Sequence, residues 1–169
     1  MNRQAEINNR ILFRETQYFR VKWLWILLAA SLFVAVFLPA AIAIQRKEGM
    51  REAILALAIS IPVEVLVLYL LYVTRLETVV TTGGIYYRWR PFSLRYNYIP
   101  QDKIASAAVM NGPLLSYGIH YVLGYGWVHN TGPGKGIQFN LAGGKRIFIG
   151  SHDIDAFAVA IDDLFKGKT

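Results

Sequence analysis

The chain has 169 residues, 54% of them hydrophobic, a formal net charge of +7 and no cysteine. That length holds one modest domain beside any membrane segment, and the missing cysteines exclude a disulfide framework, a thiolate metal site and a thiol nucleophile. A basic balance suits nucleic acid or an anionic membrane face, and two membrane-length apolar runs put lipid first.

Residues 1–22 carry five Arg or Lys against two Glu, and read as a basic cytoplasmic tail. Ile7, Ile11, Leu12, Tyr18 and Phe19 recur at spacings of three, four or seven, which suits a helix lying along the inner leaflet. A polar tail without regular structure is the other reading, and both stay open.

Residues 23–73 predict a two-helix transmembrane hairpin. The first span, 23–44, is 22 residues whose only polar side chains are the tryptophan rings and Ser31, enough to cross a hydrocarbon core of about 30 Å. Its length and its 22-residue lead-in argue against a cleaved signal peptide, whose apolar core is about 7–15 residues. The second span, 53–73, is interrupted by Ser60, Pro62 and Glu64.

Near the spans, Arg3, Arg10, Arg14, Arg20, Lys22, Arg75, Arg88 and Arg90 stand against Arg46, Lys47 and Arg51 in the turn. Cationic flanks stay cytoplasmic, so the expectation is a two-pass protein of the cytoplasmic (inner) membrane with both termini inside.

Glu64 lies one residue past the middle of the second span, where an ionised carboxylate costs at least about 2.5 kcal/mol. Antiparallel spans bring it within about a turn of Ser31. A bond to Ser31 or to a second copy of the chain is the structural reading of this intramembrane pair, and a proton- or ion-handling site is the functional one.

After Val73 the composition turns to alternating aromatic, β-branched and polar residues punctuated by Gly and Pro, a strand signature. Strands are expected at 76–81, 85–90, 92–98, 103–110, 125–130, 136–141 and 145–149, with an irregular stretch at 114–126. Ile85, Tyr87 and Trp89 share one face of their strand, and Tyr86, Arg88 and Arg90 the other. Ser151 is placed to cap a C-terminal helix over 153–165, with Ile154, Phe157, Ile161 and Leu164 forming an apolar stripe. The expected fold is therefore a membrane α-helical hairpin plus an all-β domain of seven antiparallel strands, a sandwich or partly open barrel over 74–169 whose open end the helix plugs.

That order resembles the pleckstrin-homology (PH) fold. The run Gly136-Ile137-Gln138-Phe139, then Gly144-Lys145-Arg146-Ile147-Phe148-Ile149-Gly150-Ser151 and Phe157, is similar to the end of bacterial PH-like domains. The opening Phe13-Arg14-Glu15-Thr16-Gln17 with Trp23-Leu24-Trp25 resembles that of uncharacterised bacterial membrane proteins that join two transmembrane helices to a PH-like domain. Tyr117-Gly118-Ile119 loosely matches a Trp-Gly-Ile-Arg step in that group. These are packing and turn motifs; the resemblance implies a fold and an anchor, and no activity.

Catalytic and ligand motifs are not met. Gly134-Lys135 falls short of a phosphate loop, since His129 stands where the first glycine belongs and Gly136 where the hydroxyl residue belongs. Leu123-Gly124-Tyr125-Gly126 follows both spans, whereas a potassium filter lies between them. His120, His129 and His152 lack paired metal spacing. The reading is non-enzymatic, without cofactor or metal.

The remaining candidates for contact are Arg88, Arg90, Arg95 and Lys103, with Lys145 and Arg146 as neighbours. Facing anionic headgroups, each is worth about 1 kcal/mol. The hairpin Thr81-Thr82-Gly83-Gly84 has no lysine of the kind that inositide-binding PH domains use there, so contact is expected to be nonspecific. Nucleic acid is not an expected partner, because the aromatics of 85–89 alternate inward. The expected partners are membrane lipids and either a membrane or cytoplasmic protein or a second copy; the alternative is a small transport component centred on Glu64.

Overall fold

A computed structural model of the chain describes residues 10–45, 50–113 and 117–167. Arg3 and Ile7 of the tail, Arg46 and Lys47 of the turn, and residues 114–116 lie outside the described residues. The chain divides into two compact units, Arg20–Val73 and a second formed by the segments on either side, up to Phe19 and from Thr74.

The helical unit consists of α1 (Lys22–Gln45) and α2 (Met50–Val73), packed along each other. Both are apolar on all sides, so one partner covers only part of each. Ile26, Leu27, Phe33, Phe37, Ile54, Ile59 and Leu66 are exposed. Such a helix is at home in a large core or in lipid. Over Lys22–Pro39, α1 is long and apolar enough to cross a membrane, with 6% of that stretch buried. The apolar part of α2, Leu57–Val73, is shorter. Polar contacts link the two helices and the residues that lead into them. The Ser31 hydroxyl lies 2.7 Å from Glu64 Oε1 and 2.9 Å from the Leu28 carbonyl, its single proton shared between the two acceptors. Arg20 Nη1 donates to the Tyr72 carbonyl at 2.9 Å, with its guanidinium 4.5 Å from the Tyr72 ring centroid.

The β-unit has nine strands among the described residues, two more than the sequence suggested. The first sheet has the order β1-β2-β3-β4, with β1 Ile11–Tyr18, β2 Arg75–Thr81, β3 Gly84–Arg90 and β4 Asn97–Pro100, all antiparallel. Residues 92–96, expected in the third strand, form a loop before β4. The second sheet has the order β5-β8-β9-β7-β6, with β5 Ile104–Asn111, β6 Gly118–Val122, β7 Gly126–Asn130, β8 Lys135–Leu141 and β9 Arg146–Gly150. The expected all-antiparallel arrangement fails at one place, where β7 and β9 run parallel.

The main correction concerns the tail. Residues 11–18 are neither an interfacial helix nor an irregular tail, but the edge strand β1, paired with β2 from Ile11↔Thr81 to Tyr18↔Arg75. Its inward face carries Phe13, Glu15 and Gln17, a period of two in which two of three residues are polar. Those polar groups are satisfied by the second sheet and the segment after it. Gln17 Nε2 donates to the Gly150 carbonyl at 2.7 Å and to Glu15 at 3.0 Å, while Thr131 Oγ1 donates to Gln17 Oε1 at 3.0 Å. Glu15 accepts from Ser151 Oγ and from the His152 backbone N–H, both at 2.8 Å. Ser151 therefore does not cap the last helix. Asp153 does, its carboxylate accepting from the Ala156 N–H at 3.1 Å.

That helix, α3 (Ile154–Lys166), packs against strands of both sheets. Phe157 stacks on Phe13 of β1 at 5.0 Å and lies 6.2 Å from Phe139 of β8, so one ring joins both sheets to the helix. Leu76, Val80, Ile85, Trp89, Ile149 and Leu164 complete this core.

Gln17→Ala in the intact chain strands the Gly150 carbonyl and removes the acceptor of Thr131. A loss of about 2 kcal/mol of β-unit stability is expected, read as a lowered denaturation midpoint in detergent with no change in helix content.

Candidate functional site

Of the four basic residues expected to meet headgroups, Arg88 is the one the structure withdraws. It is 8% exposed, and its outward-facing position on β3 is roofed by Tyr96. Its Nη2 lies 2.6 Å and its Nε 2.7 Å from Glu77 Oε2, its Nη1 donates to the Leu94 carbonyl at 3.1 Å, and its guanidinium stacks 4.0 Å from the Tyr96 ring centroid. A guanidinium with those partners has no face left for a phosphate.

Glu77 is the centre of this cluster. Tyr96 Oη donates to it at 3.0 Å and Arg75 Nε at 2.9 Å, and Arg90 Nε stands 3.9 Å away, beyond hydrogen-bond length. Burial pushes the Glu77 carboxyl up, but the bonds from Arg88, Tyr96 and Arg75 and the Arg88 charge outweigh it and hold it below the ordinary carboxylate value.

The other three do not share one surface. Register fixes this: Arg75 pairs with Arg90 at one end of the first sheet, while Gly84 pairs with Pro100, just before Lys103, at the other. Seven residues of β2 separate these ends by about 20 Å. Arg90 and Arg95 therefore belong together, joined by Arg75, and Lys103 lies apart. Between Arg90 and β4, Ser93 N–H donates to the Trp89 carbonyl at 2.6 Å and Ser93 Oγ to the Arg95 carbonyl at 2.7 Å, leaving Phe92 69% and Leu94 77% exposed.

Lys103 instead borders an open recess between the sheets, also lined by Tyr87, Tyr98, Leu141, Lys145 and Ile147. It shares Lys145 and Ile147 with a larger groove of ≈ 640 Å³, walled by Tyr121, Trp127 and Arg146 and floored by Gly143 and Gly144. Tyr121 on β6 faces Trp127 on β7 across a directly opposed pair, their rings T-shaped at 5.9 Å. Trp127 is level with Ile147, and two residues along the same strands His129 and Ile149 are buried core. This is the inner apolar face continuing past the cover of the first sheet, so Tyr121 is 63% and Trp127 53% exposed. The adjoining loop is pinned by Arg146 Nη1 on the Gly124 carbonyl at 2.9 Å. Gly126 there has φ +75°, and a Cβ on it would run into the Arg146 carbonyl. The stretch 114–126, irregular by sequence, contains β6, and the groove beside it is not marked by any local motif. The signal lay in Ile119, Tyr121 and Trp127, apolar at strand spacing.

The histidines do not converge, and among the described residues no group of three or more His, Asp or Glu is placed to hold a metal ion. His129 is a core residue: its Nδ1 accepts from Trp89 Nε1 at 3.2 Å, and its ring lies 4.7 Å from that of Tyr87. Burial, with a smaller contribution from the His120 charge, lowers its pKa to about 4. Glu64 of α2 and Ser31 of α1 are brought together, as the antiparallel pairing of the two apolar runs implied.

No family model, curated protein or solved structure matches the chain.

Since His129 has a lower pKa folded than its usual 6.5, the unfolded chain binds the extra proton between about pH 6.5 and 4. Stability is full above that window and falls with acidification. Between pH 7 and pH 5 the loss is about 2 kcal/mol, and His129→Gln, which keeps an acceptor for Trp89, flattens that slope in pH-dependent melting of the detergent-solubilised chain.

Proposed function

We propose that the chain is a non-enzymatic, membrane-anchored interaction module: a PH-like β-domain held at the inner leaflet, which takes a protein segment in the groove between Tyr121, Trp127, Lys145 and Arg146. The observation that carries this reading is the exposed aromatic pair formed by Tyr121 on the edge strand β6 and Trp127 on the adjoining β7. β6 ends the second sheet, so its outer backbone groups face no neighbouring strand of that sheet, and such an edge is a ready template for an added strand. Beside it, the apolar inner face runs out into the groove, and Lys145 and Arg146 favour an acidic partner. The chain itself supplies one: α3 exposes Val159 with Asp155, Asp162 and Asp163.

The anchor rests on α1. A second pass through α2 is consistent with the close pairing of the helices and with the exposed apolar surface of both; its apolar stretch of 17 residues reaches about 26 Å, which a slight local thinning of the bilayer accommodates. The excess of cationic residues flanking the start of α1 and the end of α2 supports both termini on the cytoplasmic side. The resemblance to bacterial proteins with two transmembrane helices and a PH-like domain supports the same arrangement.

Trp127→Glu places a carboxylate in the groove without touching the core. In mild detergent the wild-type chain is expected to run as an assembly, with itself or with a stoichiometric protein, and the variant to lose at least about tenfold in affinity, a central aromatic contact being worth 2 kcal/mol or more. A wild-type chain that runs alone as a monomer, or a variant that associates equally well, defeats the reading.

A transport or proton-handling role centred on Glu64 is the alternative. Its bond to Ser31 favours a structural part for the pair. Glu64→Gln keeps an acceptor for the hydroxyl and is expected to leave assembly unchanged, with no proton or solute flux in proteoliposomes of either form; a flux that the substitution abolishes reverses the assignment.

A further inference from the structure

We infer that the loop of residues 91–96 is a membrane-inserting tip, in which Phe92 and Leu94 enter the apolar margin of an anionic leaflet while Arg90 and Arg95 meet its headgroups. This rests on the anchored reading above and names the lipid contact of that module.

The position of the loop is set by strand register. Tyr18 pairs with Arg75 and Arg75 with Arg90, so the end of β1, the start of β2 and the end of β3 lie side by side. From that sheet end the chain passes to α1 through Phe19, Arg20 and Val21, and it arrives from α2 through Thr74 alone. Two backbone steps from Val73 to Arg75 reach no more than about 7 Å. Where the helices cross a membrane, that edge of the sheet is tied to its surface at two points, and the loop after Arg90 shares the edge.

The loop also has the chemistry of an interfacial tip. Phe92 and Leu94 are among the most exposed large apolar side chains of the β-unit, and they alternate with Ser93 and Arg95. They are held out rather than left loose. Arg88, clamped by Glu77 and Tyr96, grips the Leu94 carbonyl, and Ser93 closes the turn on Trp89 and Arg95. Around them the sequence from Thr78 to Gln101 contains no Asp or Glu, and the single carboxylate of Glu77, bonded by Arg88 and Arg75 with Arg90 3.9 Å away, is outnumbered by these arginines and Arg95, so the rim is net positive. Apolar residues within a cationic rim match a surface of anionic headgroups over hydrocarbon. Lys103, at the opposite end of the sheet, takes no part.

The cysteine-free chain permits a direct test. Single variants Phe92→Cys, Leu94→Cys, Lys103→Cys and Leu123→Cys of the full chain are labelled with an environment-sensitive fluorophore. They are reconstituted into vesicles of phosphatidylcholine with and without phosphatidylglycerol, some carrying nitroxide-labelled acyl chains. Probes at 92 and 94 are expected to be quenched by the lipid nitroxide about threefold more than those at 103 and 123, more so with phosphatidylglycerol, and Arg95→Glu reduces that gain. Equal quenching at all four sites overturns the inference. Probes at 92 and 94 that are shielded from aqueous iodide yet untouched by the lipid nitroxide also overturn it, since protein then covers the tip. Alkaline extraction of the same vesicles separates the two levels: a retained chain with an unquenched tip fails the insertion alone, whereas an extracted chain fails the anchor.

Discussion

The hydrogen bonds of Gln17 and Glu15 to Gly150, Thr131, Ser151 and His152 decide the architecture, because they tie residues that precede the helices to residues near the end of the chain. With them β1 is the first strand of the β-domain rather than a leader to the helices. The helix pair then becomes an insertion: β1 and β2 are antiparallel neighbours, and where a hairpin turn would join them the chain makes the excursion from Lys22 to Val73. Two polar side chains turned inward are tolerable only because each finds its partners. A segment starting at Thr74 would lack both Phe13 and Gln17, leaving Phe157 without its stacking partner and Gly150 without its donor.

That same pattern explains why the sequence hid β1 while revealing most of the other strands. Ile85, Tyr87 and Trp89 announce their inward face by hydropathy, as do Ile137 and Phe139, and all five are buried. In β1 the inward set is Phe13, Glu15 and Gln17, so the polar members masked the period of two and the remaining apolar residues mimicked helical spacing. The two apolar helices were legible from composition, but among the described residues only α1 is long and apolar enough to cross a membrane, the apolar part of α2 being shorter. The Glu64–Ser31 pairing was legible too, because a lone carboxylate in an apolar run must find a polar neighbour and an antiparallel helix offered only one nearby.

The contact surface was less legible, and for an electrostatic reason. Counting Arg88 with Arg90 and Arg95 treats charge as something each residue presents to solvent. Glu77 alters that count, since it takes Arg88 out of the surface and draws in Arg75, which the sequence had assigned to membrane flanking. Lys103 was grouped by proximity in sequence, yet the register sends it to the far end of the sheet. Pairing across strands, which no local pattern encodes, sorted the cations. The groove escaped notice similarly: Tyr121 and Trp127 follow the inward alternation of core residues and are exposed only because the first sheet stops at β4.

The two surfaces that result differ in chemistry and stand at opposite ends of one domain. At the end where the chain joins its helices, the Glu77–Arg88–Tyr96 cluster holds a loop backbone, so that Phe92 and Leu94 face outward beside Arg95 and beside Arg90, whose Nε stands 3.9 Å from Glu77. At the other end, Lys103, Lys145 and Arg146 border apolar inner surface that the first sheet does not reach. The buried ion pair at Glu77 therefore sorts the surface of the domain: by holding the Leu94 carbonyl through Arg88, it fixes the exposed apolar loop at one end of the first sheet and leaves Lys103, Lys145 and Arg146 as the cations of the other.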